Sequence, residues 1–244
     1  MSEQQVVPAK PAGVLPRVMI GMPVGSGSLP WATALSLMKT LSACREEGLP
    51  TTLEAVVGCS VVTWARSAIA DAFLKSDCTH LFWIDADLVW TPSDFFRLVG
   101  LGAAMDAVGA TYPFKKQPIA FLVNHVGKPD EYEVNGLGCV KIRGMGIGFT
   151  IIKRAVIEKV AATKTKRRDP ITGLEYADVF RIDHEGEDLA FFTDVRAAGF
   201  DAWLDPSISL GHIGPAIFKG NVIEALGLQG QAVFQKQPSQ ELKQ

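Results

Sequence analysis

The sequence predicts an α/β fold, a single domain with a mainly parallel central sheet flanked by helices. Three observations carry this expectation. Short β-branched apolar runs alternate with amphipathic helical patterns in the order β-α-β-α-β-α, the pattern of parallel strands joined by crossover helices. The run "LFWI" (81–84) is apolar at every position, as a strand covered on both faces must be, where a half-exposed strand would alternate. With 244 residues, 48% apolar and 20% charged, the chain has the size and make-up of one globular domain, and no repeat or linker divides it.

Residues 1–15, with their Pro and Gln, are expected to form a flexible N-terminal arm, residues 16–225 the folded domain, and residues 226–244 a low-complexity tail. "RVMIGMPV" (17–24) reads as the first strand, stopped by the breakers of "GSGSLPW" (25–31). "WATALSLMKTLSACREE" (31–47) has apolar residues at helical spacing, and "LPTTLEAVVG" (49–58) returns to a strand pattern. "VTWARSAIADAFLKS" (62–76) is a helix with Trp64, Ile69, Phe73 and Leu74 near one face. "HLFWID" (80–85) is the third strand, and a helix follows over Ser93 to Leu101. Further strands are expected within 105–114, 121–126, 146–154 and 201–209, with helices over 154–162 and 187–200, the latter closed by Gly199. The polar stretch 162–179 reads as a loop whose cations in "KTKRRDP" (164–170) either face water or close over phosphates.

Charge and targeting patterns narrow the function classes. A formal net charge of −2 supplies no global basic field for nucleic acid or an acidic membrane. The opening residues lack a secretory signal pattern, and no apolar run approaches the roughly 20 residues that span a bilayer. Cys44, Cys59, Cys78 and Cys139 form no C-x-x-C pair, which fits reduced thiols in a cytoplasmic protein. "PVGSGS" (23–28) lacks the Lys-Ser/Thr of a phosphate-binding P-loop, and Pro30 stands where a dinucleotide fingerprint needs its third glycine.

The chemistry concentrates in "HLFWIDADLVW" (80–90) and in 181–214. In an extended chain Asp85 and Asp87 point to the same side, and burying two bare carboxylates costs more than packing returns. At the carboxyl end of a parallel strand, where α/β proteins bind ligands, the pair can hold a divalent ion against a diphosphate; otherwise it simply ends the strand in water. Glu187 and Asp188 open a helix after Gly186, either as dipole-favoured caps or as a base beside an acceptor hydroxyl. His212 lies between Gly211 and Gly214, which permit a close backbone approach; a carboxylate pair with an imidazole suits Mn²⁺ better than Mg²⁺. Trp83 reads as packing, Trp90 as packing or a sugar platform, and the lysines of "YPFKK" (112–116) as loop charge or acceptor contacts.

Taken in order, "MPVGSG", "ARS", "FWIDADLVW", "GMGIGFTIIKR", "EDLAFFTDVRAAGF" and "GHIG" resemble the GT-A-fold glycosyltransferases, family 2-like and of the D-x-D type, across roughly residues 17–214. The resemblance implies a metal-dependent transfer of a sugar from a nucleoside-diphosphate sugar, UDP- or GDP-linked, to an unidentified acceptor hydroxyl. It implies Mn²⁺ as cofactor, with Mg²⁺ as the alternative, held by Asp85, Asp87 and His212, with Asp87 the more direct ligand. It places the donor by Pro23, Val24, Arg66, Asp85 and Ala86, the sugar and acceptor on a floor of Gly146, Ile147 and Gly148, and catalysis on Asp188 with Glu187. Two other readings stand beside it: a catalytically silent module of the same fold that binds a carbohydrate or a protein, and a sugar nucleotidyltransferase. The second lacks the basic residues that should follow the first strand, where none occurs before Lys39.

Overall fold

The computed structural model describes residues 15–126, 132–168 and 173–227. Most of the expected N-terminal arm, the tail from residue 228 and residues 169–172 of the expected loop lie outside the described residues. The chain begins with β1 (Val18–Val24), α1 (Trp31–Glu46), β2 (Thr51–Val57), α2 (Val62–Lys75), β3 (His80–Ile84), β4 (Leu88–Val89) and α3 (Pro92–Gly102). It continues through β5 (Ala107–Gly109), β6 (Val123–His125), β7 (Val140–Met145), β8 (Phe149–Lys153) and α4 (Arg154–Ala161). It then forms β9 (Lys166–Arg168), β10 (Glu175–Ala177), α5 (Glu187–Ala197), β11 (Ala202–Leu204), β12 (Gly211–Ile213), β13 (Ile217–Lys219) and α6 (Val222–Ala225).

The central sheet has the order β2-β1-β3-β8-β5-β11-β7-β6. β2, β1 and β3 are parallel, and β11 is parallel to β5. β8 runs antiparallel to both β3 and β5, so β1, β2, β3, β5 and β11 share one direction and the sheet is mainly parallel, as expected. β7 is antiparallel to β11 and β6.

Alternation along the strands divides the core between the two faces of this sheet. Leu81 and Trp83 of β3 join one cluster with Phe73, Phe180, Phe191 and Phe192; Phe82 and Ile84 join the other with Phe95, Phe149 and Trp90. Trp83 is 1% exposed and meets Phe180 edge-on at 5.3 Å, which makes it a packing residue. Trp90 is also core: it is buried, and its indole N–H donates to Thr40 Oγ1 at 2.9 Å. Arg154, at the start of α4, donates to the carbonyls of Phe73 (2.8 Å), Leu74 (3.2 Å), Ser76 (2.9 Å) and Cys78 (2.7 Å), closing the C-terminal end of α2 whose last carbonyls have no helical partner.

The stretch 162–179 differs from expectation, since β9 and β10 pair as an antiparallel hairpin. Its charges hid the alternation: Lys166 and Arg168 face water, Tyr176 is buried, and Arg167 stacks on Trp64 at 4.6 Å while pairing with Asp178 at 3.1 Å. Short β4, β12 and β13 form a separate antiparallel sheet that was not anticipated. No helix among the described residues is long and apolar enough to cross a membrane.

Candidate active site

Beyond the ends of β1 and β3 a cavity of about 470 Å³ opens, lined by Pro23, Gly25, Ser26, Pro30, Val62, Arg66, Asp85, Ala86, Asp87, Tyr112, Glu187, Asp188 and His212. Each wall has a local cause. β1 stops at the breaker-rich 25–30, and the chain re-enters α1 after Pro30. α2 then presents Arg66 from its first two turns. On the opposite side α5 begins after Gly186, whose φ of 91° lies in the left-handed region where a side chain is strained.

The sequence placed Asp85 and Asp87 on one side of an extended chain; the structure separates them. β3 ends at Ile84, and the chain turns at once, with the Leu88 amide donating to the Asp85 carbonyl at 3.3 Å. Asp85 therefore continues the face that carries Trp83, towards α2 and α5. One of its oxygens accepts from Arg66 Nη2 at 2.9 Å and the other from the Tyr112 hydroxyl at 2.8 Å. Asp87 lines the same cavity but has other partners. Its Oδ2 is 2.5 Å from Lys115 Nζ, and its Oδ1 is 3.4 Å from His212 Nε2. His212 arrives through β12, which pairs with β4 so that His212 faces Leu88, while the Ile213 amide donates to the Asp87 carbonyl at 2.8 Å.

Arg66 organises the first half of the site. Its side chain is 3% exposed; it also pairs with Asp188, and Glu187 lies 3.9 Å away. Glu187 and Asp188 are thus more than helix caps: both line the cavity beside Arg66. Burial pushes the Asp188 carboxyl up to about 6, since Arg66 only partly offsets that cost and the charges of Asp85 and Glu187 add to it. For Arg66 burial works against the charge, but Asp188 and Asp85 outweigh it and hold the guanidinium charged. Arg66 Nε is buried with no partner among the described residues. Burial likewise raises the Tyr112 hydroxyl well above its ordinary value, with Asp85 adding to the effect.

Gly146 and Gly148, read as part of a floor for sugar and acceptor, lie close against Tyr112 and Asp85. A Cβ on Gly148 would sit 2.1 Å from Asp85 Oδ2, and one on Gly146 would sit 2.9 Å from the Tyr112 hydroxyl. None of Val24, Gly146, Ile147 and Gly148 lines the cavity; Val24 and Ile147 belong to the core. Gly211 and Gly214 were read as leaving room for a ligand; their close neighbours are instead Val89 and Lys115.

The second half of the site bears on a metal. His212 Nδ1 is 2.8 Å from the Pro113 carbonyl, which can only accept, so Nδ1 carries a proton and Nε2 is the ring atom left to meet Asp87, either donating a second proton to it or sharing a cation with it. With a proton on Nε2 the contact is an ordinary ion pair; without it, the two atoms share a cation. Ligands about 2.1 Å from one ion and about 90–110° apart lie about 3.0–3.4 Å from each other, which matches this pair. A backbone carbonyl on the far nitrogen is also the usual outer partner of a metal-bound histidine. No cluster of three or more His, Cys, Asp or Glu side chains suited to a metal occurs among the described residues. Asp87 and His212 could hold an ion as a two-residue site, and any further ligands would have to be substrate oxygens and water. At present burial would raise the Asp87 carboxyl, but His212 and Lys115 outweigh it and hold it below its ordinary range.

Tyr112 and Lys115 sit in the site with roles the sequence did not assign. The only signal was their position in "YPFKK", just beyond β5 at the same end of the sheet as the aspartates.

No protein-family model matches the chain, and no curated protein matches it in sequence. Solved structures do. A197 from STIV is 20% identical with a TM-score of 0.53, over 81% of this chain and 86% of that one. GalNAc-T7, solved with UDP, GalNAc and Mn²⁺, is 11% identical with a TM-score of 0.54, over 82% of this chain and 44% of that one. At this identity the likeness establishes the architecture, and the chain has a GT-A-like α/β fold with its cavity at the carboxyl ends of the parallel strands.

Proposed function

We propose that this protein is a metal-dependent glycosyltransferase that moves a sugar from a nucleoside-diphosphate sugar to an acceptor hydroxyl. The observation that carries the reading is the 3.4 Å pair of Asp87 and His212 in the same cavity as the Arg66-bound acids, in a GT-A-like fold. The GalNAc-T7 structure, with UDP and Mn²⁺, supports the same class of donor and ion. Asp87 and His212 would hold Mn²⁺, or Mg²⁺ in its place, and the ion would supply the positive charge that a departing diphosphate requires. Pro23, Ala86 and Val62 offer the apolar wall for the nucleobase and ribose. Arg66 fixes Asp85 and Asp188 so that neither swings onto the donor. In an inverting transfer Asp188 takes the acceptor proton, and a carboxyl at about 6 is ionised at neutral pH yet basic enough to do so.

One contact favours a second reading. The Lys115 ammonium on Asp87 supplies a cation without any metal, as a catalytically silent binding module would use it. Calorimetric titration of UDP, GDP, CDP and dTDP with and without Mn²⁺, on wild type and Asp87→Ala, separates the two. Binding of one nucleotide that needs Mn²⁺ and is lost in the variant supports the transferase. Metal-independent binding, or none, overturns it and supports the module.

A further inference from the structure

A second cavity, of about 390 Å³, lies between β6, β7 and α5 and is lined by Asn124, His125, Arg143, Glu185, Leu189, Thr193 and Arg196, among others. No residue lines both cavities, but the segment that opens α5 contributes to each. Glu185 and Leu189 line the second cavity while Glu187 and Asp188, between them in sequence, line the first. Arg143 stands on β7 three residues, within about 11 Å along the chain, before Gly146, which lies against Tyr112 of the first cavity.

The charge of this cavity is unbalanced. Arg143 makes no ion pair among the described residues, and Arg196 reaches only the Thr193 hydroxyl, at 3.0 Å. Arg196 Nη1 and His125 Nδ1 are both buried without a partner among the described residues. Burial and the nearby Arg143 push the Arg196 guanidinium down from its ordinary value, with Glu185 opposing them. Arg143 is exposed and its charge is met by water, but an anion bridging it to Arg196 would also satisfy the buried Nη1 of Arg196, and the guanidinium fork matches carboxylate and phosphate alike.

We propose that this second cavity is an anion-binding pocket in which Arg143 and Arg196 hold the carboxylate or phosphate group of an acidic sugar acceptor beside the transfer site. The acceptor assignment rests on the glycosyltransferase reading; the anion pocket does not.

The test is a titration of the ¹⁵N-labelled full chain with inorganic phosphate, with glucuronate and with neutral glucose, following the side-chain Nε–H resonances of Arg143 and Arg196. A second titration, with the cognate nucleotide and Mn²⁺, is run calorimetrically. Both arginines are expected to respond to at least one anion and not to glucose. In Arg143→Ala the response of Arg196 should weaken at least about tenfold, while nucleotide binding stays intact and certifies the fold. A response to phosphate alone assigns a phosphorylated acceptor, and one to glucuronate alone a sugar acid. Resonances that ignore both anions, or that move equally with glucose, overturn the pocket. Anion binding in a chain that binds no nucleotide keeps the pocket and overturns its assignment to an acceptor.

Discussion

Replacing Asp188 by Asn tests the electrostatics of the site without knowledge of the substrate. The carboxyl is raised from its ordinary 3.8 to about 6, chiefly by burial. That rise makes its ionisation about 3 kcal/mol harder in the folded protein than in the unfolded chain. The sign follows directly. A group whose pKa is raised on folding contributes fully below about pH 4, and that contribution is lost as the pH climbs through about 6. Wild type should therefore lose about 3 kcal/mol from this residue between pH 4 and pH 8. Asp188→Asn has nothing to ionise and keeps an oxygen for Arg66, so its stability relative to wild type should rise by about 3 kcal/mol over the same interval. The depressed Asp87 acts in the opposite direction, with stability lost as the pH falls, but it is common to both proteins and cancels in the difference. Urea unfolding with linear extrapolation at intervals from pH 4 to pH 8 measures it. A difference independent of pH, or a variant less stable than wild type at pH 8, would refute the reasoning: Arg66 would then stabilise the carboxylate by more than burial costs it. As general base, Asp188 should also make transfer rise with pH through about 6, and the variant should lose about 10²–10⁴-fold in turnover.

Two further substitutions probe the floor and the frame. Gly148→Ala sets a methyl 2.1 Å from Asp85 Oδ2, and the backbone cannot easily retreat because the Asp85 amide donates to the Gly148 carbonyl at 2.8 Å. A cost of about 1–3 kcal/mol in urea unfolding and a loss of nucleotide binding are expected; unchanged affinity would show that Asp85 need not hold its place. Arg154→Ala removes the donors to four carbonyls at the end of α2 and should cost about 2–4 kcal/mol. Arg154→Lys should recover less than half of that, because an ammonium cannot span the same fan of acceptors; equal stability of Lys and Arg there would contradict the account.

The order β1-α1-β2-α2-β3-α3 was legible in the sequence because it rests on spacing between near neighbours. The all-apolar "LFWI" became β3 with its side chains divided between the two faces, and Gly199, at a φ of 87°, closes α5 as read. The acids at the end of β3 and at the start of α5 also stood out, since charge after a buried run is a local feature. Partners are not local. Arg66 and Asp188 are 122 residues apart, and Asp87 meets His212 only because β4 finds β12. Lys166 to Arg168 looked like loop because a strand of charges gains its order from the partner strand and from Trp64, neither of which is adjacent in sequence. The sequence by itself determined the α/β class and which end of the sheet carries the acids, through periodicity and the cost of burying charge. Tertiary structure alone decided that Asp85 serves Arg66 and Tyr112 while Asp87 faces His212, because a single turn after Ile84 sends two neighbouring carboxylates into different electrostatic surroundings.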